Sequence, residues 1–354
     1  MGPGHRMQSL ALHYEAAMTI EGMTMDRRTM LGMTAAGLAM TAAGPVAAGT
    51  ARRQTGADRP SDLPWPPRET FDLWPGKAPG TPAKLPVPVR YGPDGRELWL
   101  RGIAKPTLSV YRPANPNGIG ILSIPGGGYQ FVSVENEGHN VAKVLNPLGF
   151  TVFALVYRLP GEGWANRADV PLQDAQRAMR IIRTRAGEFG IDPKKLGILG
   201  FSAGGHLAAS LSTAYNDPTY EPVDTTDRAW TRPDFSGLVY PVTTLAESGS
   251  PSRSRANLLG PSPMNEATAR YDAVRRVDAG TPPLFLLHAA DDPIVPLEMS
   301  TAMIATARTA GVSVAAHFYD KGGHGFGMAL DPKHPAHGWG ALYATWAMRI
   351  ANGG

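Results

Sequence analysis

Cysteine is absent from all 354 residues. Its absence excludes disulfides, thiolate metal sites, a cysteine nucleophile and lipid attached through a lipobox cysteine. Charge is also scarce: Asp, Glu, Lys and Arg together make up 18%, the net formal charge is +4, and no long Lys/Arg run occurs. Neither nucleic acid nor an anionic membrane surface is therefore an expected partner. Long apolar runs are missing too. The best candidate, Met30–Met40 (MLGMTAAGLAM), is broken by Gly32 and Gly37 and is too short to cross a bilayer core of about 30 Å. No internal repeat is visible.

What is present is a large apolar fraction, 43%, enough for a sizeable buried core. The chain divides by composition into three stretches. In residues 1–48, Arg27 and Arg28 precede the short apolar stretch, and Pro45 with Val46-Ala47-Ala48 follows it. This order resembles a twin-arginine export signal cleaved after Ala48, which implies passage through that machinery to the periplasm or the exterior, with no stable membrane association afterwards. The stretch carries three bases (Arg6, Arg27, Arg28) and three acids (Glu15, Glu21, Asp26), so cleavage leaves the charge at +4. Residues upstream of Met23 and Met25 are unusual ahead of such a signal, and either methionine would serve as the true start.

Residues 49–93 are rich in Pro and Gly (PWPP, WPGKAPGTPAKLPVPV) and read as an irregular segment, part tether and part cover over the domain surface. Residues 94–354 alternate between strand and helix patterns. Strands are predicted near Leu98–Ile103, Leu108–Tyr111, Ile119–Ile124, Val152–Tyr157, Leu196–Gly200, Gly237–Tyr240, Leu284–His288 and Val314–Tyr319. Helices are predicted at Glu137–Leu148, Leu172–Glu188, Ala203–Tyr215, Leu297–Ala310 and Leu342–Ala351. Such alternation implies a mostly parallel sheet with helices on both faces. The polar stretch Thr243–Gly280 is too short for a large cap.

Four strand ends carry the chemistry. The run LGILGFSAGGHLAASL places Gly200-Phe201-Ser202-Ala203-Gly204, a GxSxG pattern, between a strand and a helix. A serine on such a turn is exposed by its small neighbours, and the helix start faces developing negative charge. Pro125-Gly126-Gly127-Gly128-Tyr129 ends an earlier strand, and the amides of Gly127, Gly128 and Ala203 are the candidates for an oxyanion hole. A phosphate cradle is the weaker reading of these glycines, because neither a GxGxxG spacing nor a following Lys-Ser/Thr is present. Ala289-Ala290-Asp291-Asp292-Pro293-Ile294-Val295-Pro296 offers two carboxylates; Asp292 is preferred for the orienting role, with Asp291 bracing the turn. His324, in the glycine-rich loop Gly322-Gly323-His324-Gly325, is the candidate general base. The order Ser202, Asp292, His324 is that of the α/β-hydrolase fold. His206 and His288 read as structural, and Asp331, His334 and His337 as a solvated loop, since Pro332 and Pro335 break any regular metal-binding face. No cofactor and no metal are expected.

The segments PGGGY, GFSAGGHLAA, HAADDPIVP and KGGHGFG, with WPGKAPG and YRLP, resemble bacterial esterases related to bifunctional acetylxylan/feruloyl esterases. The likeness runs from about Trp74 to Trp346. It implies an eight-stranded sheet and removal of acetyl or hydroxycinnamoyl groups from decorated plant polysaccharides, with a small-molecule or oligosaccharide ester as substrate. Pro125 stands where hormone-sensitive-lipase relatives carry histidine. Trp65, Trp74, Trp164 and Trp230 are candidates for stacking on sugar or aromatic acyl groups. Two other outcomes remain open at this point: a prolyl-oligopeptidase-like serine peptidase, against which the lack of room for a β-propeller counts, and a catalytically inactive carbohydrate-binding module of the same fold.

Overall fold

In parallel sheets, strands buried on both faces read as continuous apolar runs, and the middle of this chain contains several. Thr151–Val156, Ser236–Val239 and Leu284–Ala289 are buried along their entire length. The computed structural model describes Pro67 and residues 69–92, 97–246 and 253–354. The expected export signal and Trp65 lie outside these residues.

The strands, in chain order, are β1 (Thr70–Asp72), β2 (Val89–Tyr91), β3 (Trp99–Arg101), β4 (Thr107–Tyr111), β5 (Gly118–Ile124), β6 (Val132–Ser133), β7 (Thr151–Val156), β8 (Ile191–Phe201), β9 (Ser236–Val239), β10 (Leu284–Ala289) and β11 (Val314–Tyr319). Eight of them form one sheet in the order β1-β4-β7-β5-β8-β9-β10-β11. From β7 to β11 every pairing is parallel, while β4 and β1 join antiparallel at one edge. This is the mostly parallel eight-stranded sheet of an α/β-hydrolase. The helices are α1 (Asn140–Leu145), α2 (Val170–Thr184), α3 (Ser202–Thr213), α4 (Ser254–Leu259), α5 (Asn265–Arg270), α6 (Glu298–Thr309) and α7 (Trp339–Ala351).

Two-residue periodicity in the strands separates two cores. Leu122, Phe153, Ile198 and Leu286 pack with Met179, Leu207 and Met303 on the α2, α3 and α6 side. Ile121, Val152, Leu199 and Phe285 pack with Val141, Leu145, Trp339 and Tyr343 on the α1 and α7 side. At about 25 cal/mol per Å² of apolar area, filling both layers is the main force holding the sheet between its helices.

Three expectations are corrected. The strand predicted at Leu98–Ile103 is β3, and it belongs to a separate three-stranded sheet, β2-β3-β6, not to the main one. Residues 49–93 are not merely a cover: Thr70–Asp72 forms the edge strand β1, and Leu73 and Trp74 enter the core. The reason is the buried Arg158, whose Nη1 donates to Pro79 O (2.6 Å) while Trp74 Nε1 donates to its partner Asp174 (2.8 Å). Lastly, the helix predicted from Glu137 begins as a wide π-helical turn, Glu135–His139, in which His139 N–H reaches back to Val134 O (2.8 Å). The stretch Thr243–Gly280 holds only α4, α5 and one 3₁₀ turn among its described residues. No described helix is long and apolar enough to cross a membrane.

Candidate active site

The central strand β8 runs straight into α3, and Ser202 is the first residue of that helix. Phe201 is still extended (φ −120°, ψ 130°), so the reversal falls on Ser202, whose φ is +54°. A non-glycine residue there costs about 1–3 kcal/mol and persists only where the surroundings enforce it. Gly204 is what allows the tight turn: a Cβ on it would collide with the carbonyl oxygens of Ile124 and Pro125. Strand β5 and the nucleophile helix therefore touch backbone to backbone.

His324 Nε2 stands 2.8 Å from Ser202 Oγ, and His324 Nδ1 stands 2.6 Å from Asp292 Oδ2. The tautomer follows from the acceptor: the carboxylate accepts a hydrogen bond from Nδ1–H, leaving Nε2 to accept from the serine hydroxyl. Asp292 is saturated with donors. Its Oδ1 accepts from the amides of Ile294 (2.8 Å) and Val295 (2.9 Å), and its Oδ2 also accepts from His288 Nε2 (3.2 Å). Burial alone would raise the Asp292 pKa, but the hydrogen bonds from His288, His324 and Val295 outweigh it and hold the carboxyl well below the usual carboxylate range. The group is thus held as an anion at neutral pH.

Asp291 occupies a different place. It is exposed, and its Oδ1 accepts from the amide of Gly323 (2.8 Å), so it braces the loop that carries His324. His288 differs from the structural reading. It is buried, with Nδ1 against Ser300 Oγ (2.8 Å) and Nε2 shared between Val295 O (2.9 Å) and Asp292, which makes it part of the carboxylate's support. His206 does stand apart: Nε2–H donates to Tyr271 O (2.8 Å), Nδ1 accepts from Tyr129 OH (2.7 Å), and burial pushes its pKa down to about 4.

The glycine loop lies against the nucleophile. A Cβ on Gly126 would stand 2.9 Å from Ser202 Cβ. Gly127 and Gly128 have φ of +127° and +63°, conformations that glycine alone adopts without strain. The loop's carbonyls are engaged: Pro125 O accepts from Tyr157 OH (2.8 Å), Gly127 O from Gln130 N (2.9 Å) and Gly128 O from Asn257 Nδ2 (2.6 Å). The amides of Gly127 and Gly128 donate to no acceptor among the described residues. Ala203, in the first turn of α3, has an amide without an intrahelical partner and without a side-chain cap. The fold thus leaves unspent the three donors singled out in the sequence, next to a hydroxyl, an imidazole and a carboxylate in hydrogen-bonded series. Such a set suits acyl transfer: the serine attacks a carbonyl, the imidazole carries the proton, and unspent amides meet the oxyanion.

Glu137 and Tyr240 went unremarked in the sequence although they adjoin this set. Glu137 Oε2 accepts from the amide of Gly126 (2.7 Å), and Tyr240, whose ring centroid is 4.8 Å from that of His324, donates to Glu137 Oε1 (2.8 Å). A single glutamate in an apolar helix pattern and a tyrosine at a strand end carry no spacing signal, so only the folded arrangement reveals them.

The tryptophan candidates are redistributed. Trp74 and Trp164 are buried, with the Arg158 guanidinium 5.5 and 4.8 Å from their ring centroids, so neither is available to a sugar. Trp230 is exposed but sits by Arg183, which binds Pro193 O and Asp234 near the starts of β8 and β9, the opposite strand ends from Ser202. The aromatic surface that adjoins the glycine loop is Trp99 stacked on Phe131 (centroids 4.0 Å apart). Asp331, His334 and His337 form a local turn through His334 N to Asp331 O (2.9 Å) and His337 N to His334 O (2.8 Å). Among the described residues no group of three or more His, Asp or Glu side chains is placed to hold a metal ion.

Residues 108–306 match the BD-FAE family. The chain is 34% identical over 235 residues to an acetylxylan esterase of Xylanibacter ruminicola, covering 65% of this chain and 46% of that protein. It is 33% identical to endo-1,4-β-xylanase B of Butyrivibrio fibrisolvens, covering 60% of this chain and 33% of that protein. It therefore spans less than half the length of these two curated relatives. The crystal structure of an acetyl ester-xyloside bifunctional hydrolase from Caldicellulosiruptor lactoaceticus superposes with a TM-score of 0.65 at 31% identity, covering 80% of this chain and 96% of that one.

Proposed function

Because the chain belongs to the BD-FAE family, we propose that it is a serine carboxylic-ester hydrolase that removes acetyl groups from acetylated xylan fragments. The observation that carries this reading is the series Ser202 Oγ, His324 Nε2, His324 Nδ1, Asp292 Oδ2, with links of 2.8 and 2.6 Å. In the first half-reaction Ser202 attacks the ester carbonyl while His324 takes its proton; the imidazolium then protonates the departing sugar oxygen. The amides of Gly127, Gly128 and Ala203 stabilise the oxyanion, each such donor being worth about 10²–10³ in rate. In the second half water, deprotonated by His324, releases acetate and restores the serine. The relatives named for acetylxylan and xyloside chemistry support the substrate; removal of feruloyl groups is the further reading that the motif resemblance implies.

The test is acetate release from acetylated xylo-oligosaccharides alongside p-nitrophenyl acetate and dipeptide anilides. Ester turnover with the anilides untouched is expected. Ser202→Ala should abolish it, and Asp292→Asn should lower kcat about ten-thousandfold, as for other triad acids, whereas Asp291→Asn should cost far less. Equal losses in the two aspartate variants would overturn the assignment of the acid.

Export through the twin-arginine route forms part of this proposal, supported by Arg27-Arg28 ahead of the short apolar stretch. Replacing both arginines with lysine should trap the uncleaved precursor in the cytoplasm, and unchanged export of that variant would remove the claim.

A further inference from the structure

Three separate segments must keep register for the acyl chemistry: the glycine loop, the serine turn and the loop carrying His324. Side chains of the π-helical turn Glu135–His139 bond to the first and last of these. Asn136 Nδ2 donates to Gly325 O (2.9 Å), next to His324. Glu137, itself buried, accepts from the Gly126 amide at 2.7 Å on one carboxyl oxygen and from Tyr240 OH at 2.8 Å on the other. Tyr240 in turn accepts from the amide of Gly327 (2.9 Å), in the same loop as His324, and its ring packs on the imidazole.

We propose that Glu137, acting through Tyr240, is a positioning residue that locks the oxyanion loop and the histidine loop into one register. The inference rests on the esterase reading above. A π turn suits this task because its extra residue per turn displaces the side chains from ordinary helical spacing, and such turns recur at functional sites. Tyr240 shows the same constraint from the other side: its φ is +36°, a conformation that a bulky residue keeps only where its contacts demand it. Burial foremost, and then the neighbouring Glu137, hold the Tyr240 hydroxyl protonated, so it remains a donor. A carboxylate is the group the site calls for, since both facing partners are donors. An amide in its place must turn its NH₂ toward one of them.

The experiment compares wild type, Glu137→Gln, Tyr240→Phe and the double variant with p-nitrophenyl acetate. Fluorophosphonate titration fixes the concentration of competent sites, so a loss of folded protein drops out of kcat. Glu137→Gln should lower kcat about 30-fold with KM within about twofold, less than the 10²–10³ expected for deleting an oxyanion donor outright. Tyr240→Phe should cost about tenfold, and the double variant should be no worse than Glu137→Gln, because both changes cut one linkage. The inhibition constant of an arylboronic acid, which forms a tetrahedral adduct on the serine, should rise in parallel with the loss in kcat. If kcat per titrated site stays within twofold of wild type in both single variants, or the two losses simply add, the linkage is overturned while the esterase reading stands. A wild type that neither labels nor turns over the ester would remove both.

Discussion

Asp292 illustrates how a residue's role is set by donors rather than by residue type. Two adjacent aspartates share one turn, yet Asp292 receives two backbone amides and two imidazoles while Asp291 reaches across to Gly323. Each charge-assisted bond steadies the carboxylate and so the imidazole it orients. His206 makes the contrasting case of a histidine kept neutral. With its pKa pushed down to about 4 by burial, it binds no proton in the fold between pH 6.5 and 4, whereas the unfolded chain does. The unfolded state then holds more protons, so stability falls as pH drops through that window and is flat above it. The upper bound is roughly 3 kcal/mol at pH 4. His139, lowered to about 4 by burial and then by Lys143, adds to the same slope. Urea midpoints at pH 7 and pH 5 should therefore differ, and the difference should shrink in His206→Gln; an unchanged slope in that variant would contradict the argument.

At the level of elements, the meeting of β5, β8 and α3 decides whether the serine is presented. Gly204 brings α3 onto the last residues of β5, and Tyr157 OH, from the end of β7, holds Pro125 O from the far side. Gly204→Ala would lower the entropy of the unfolded chain and add helix propensity, but its Cβ has no room against two carbonyl oxygens. The steric effect dominates, since overpacking against fixed backbone costs about 1–3 kcal/mol. A shift of about 1 Å in the elbow costs on the order of a hundredfold in rate. Gly204→Ala should accordingly lose at least tenfold in kcat on p-nitrophenyl acetate as well as melting earlier, and a variant that melts earlier with normal kcat would place the strain elsewhere.

Across the whole molecule, the Pro-rich segment and the catalytic sheet are joined by a buried charge pair. Arg158 and Asp174 have fully buried side chains, with Trp74 Nε1, Gln173 Oε1 and Pro79 O completing their hydrogen bonds. Such a pair is not evidence of net stabilisation, because desolvation offsets much of the attraction. Removing one member, however, strands the other charge. Asp174→Ala should cost about 3–5 kcal/mol in urea unfolding, and Arg158→Met with Asp174→Leu should cost less than Asp174→Ala alone. The reverse order would show that the pair itself, not the stranded charge, matters.

Residue order and local pattern were enough to read the alternation of strand and helix, the serine elbow, the run of glycines, and the late aspartate and histidine, because each depends on short-range periodicity or on turn chemistry. The strand at Thr70–Asp72, the separate sheet holding Trp99 and the burial of Trp74 and Trp164 were not legible there. Each is decided by what packs against the segment: Phe131 stacks on Trp99, and the Arg158 guanidinium, which packs on Trp164 a few residues along, also packs on Trp74 from more than 80 residues away in the chain. The same holds for Glu137 and Tyr240, which meet across 103 residues. Local sequence sets which conformations a segment favours; which distant donor a buried carboxylate faces depends on burial and hydrogen-bond demand, and these arise only once the sheet has closed between its helices.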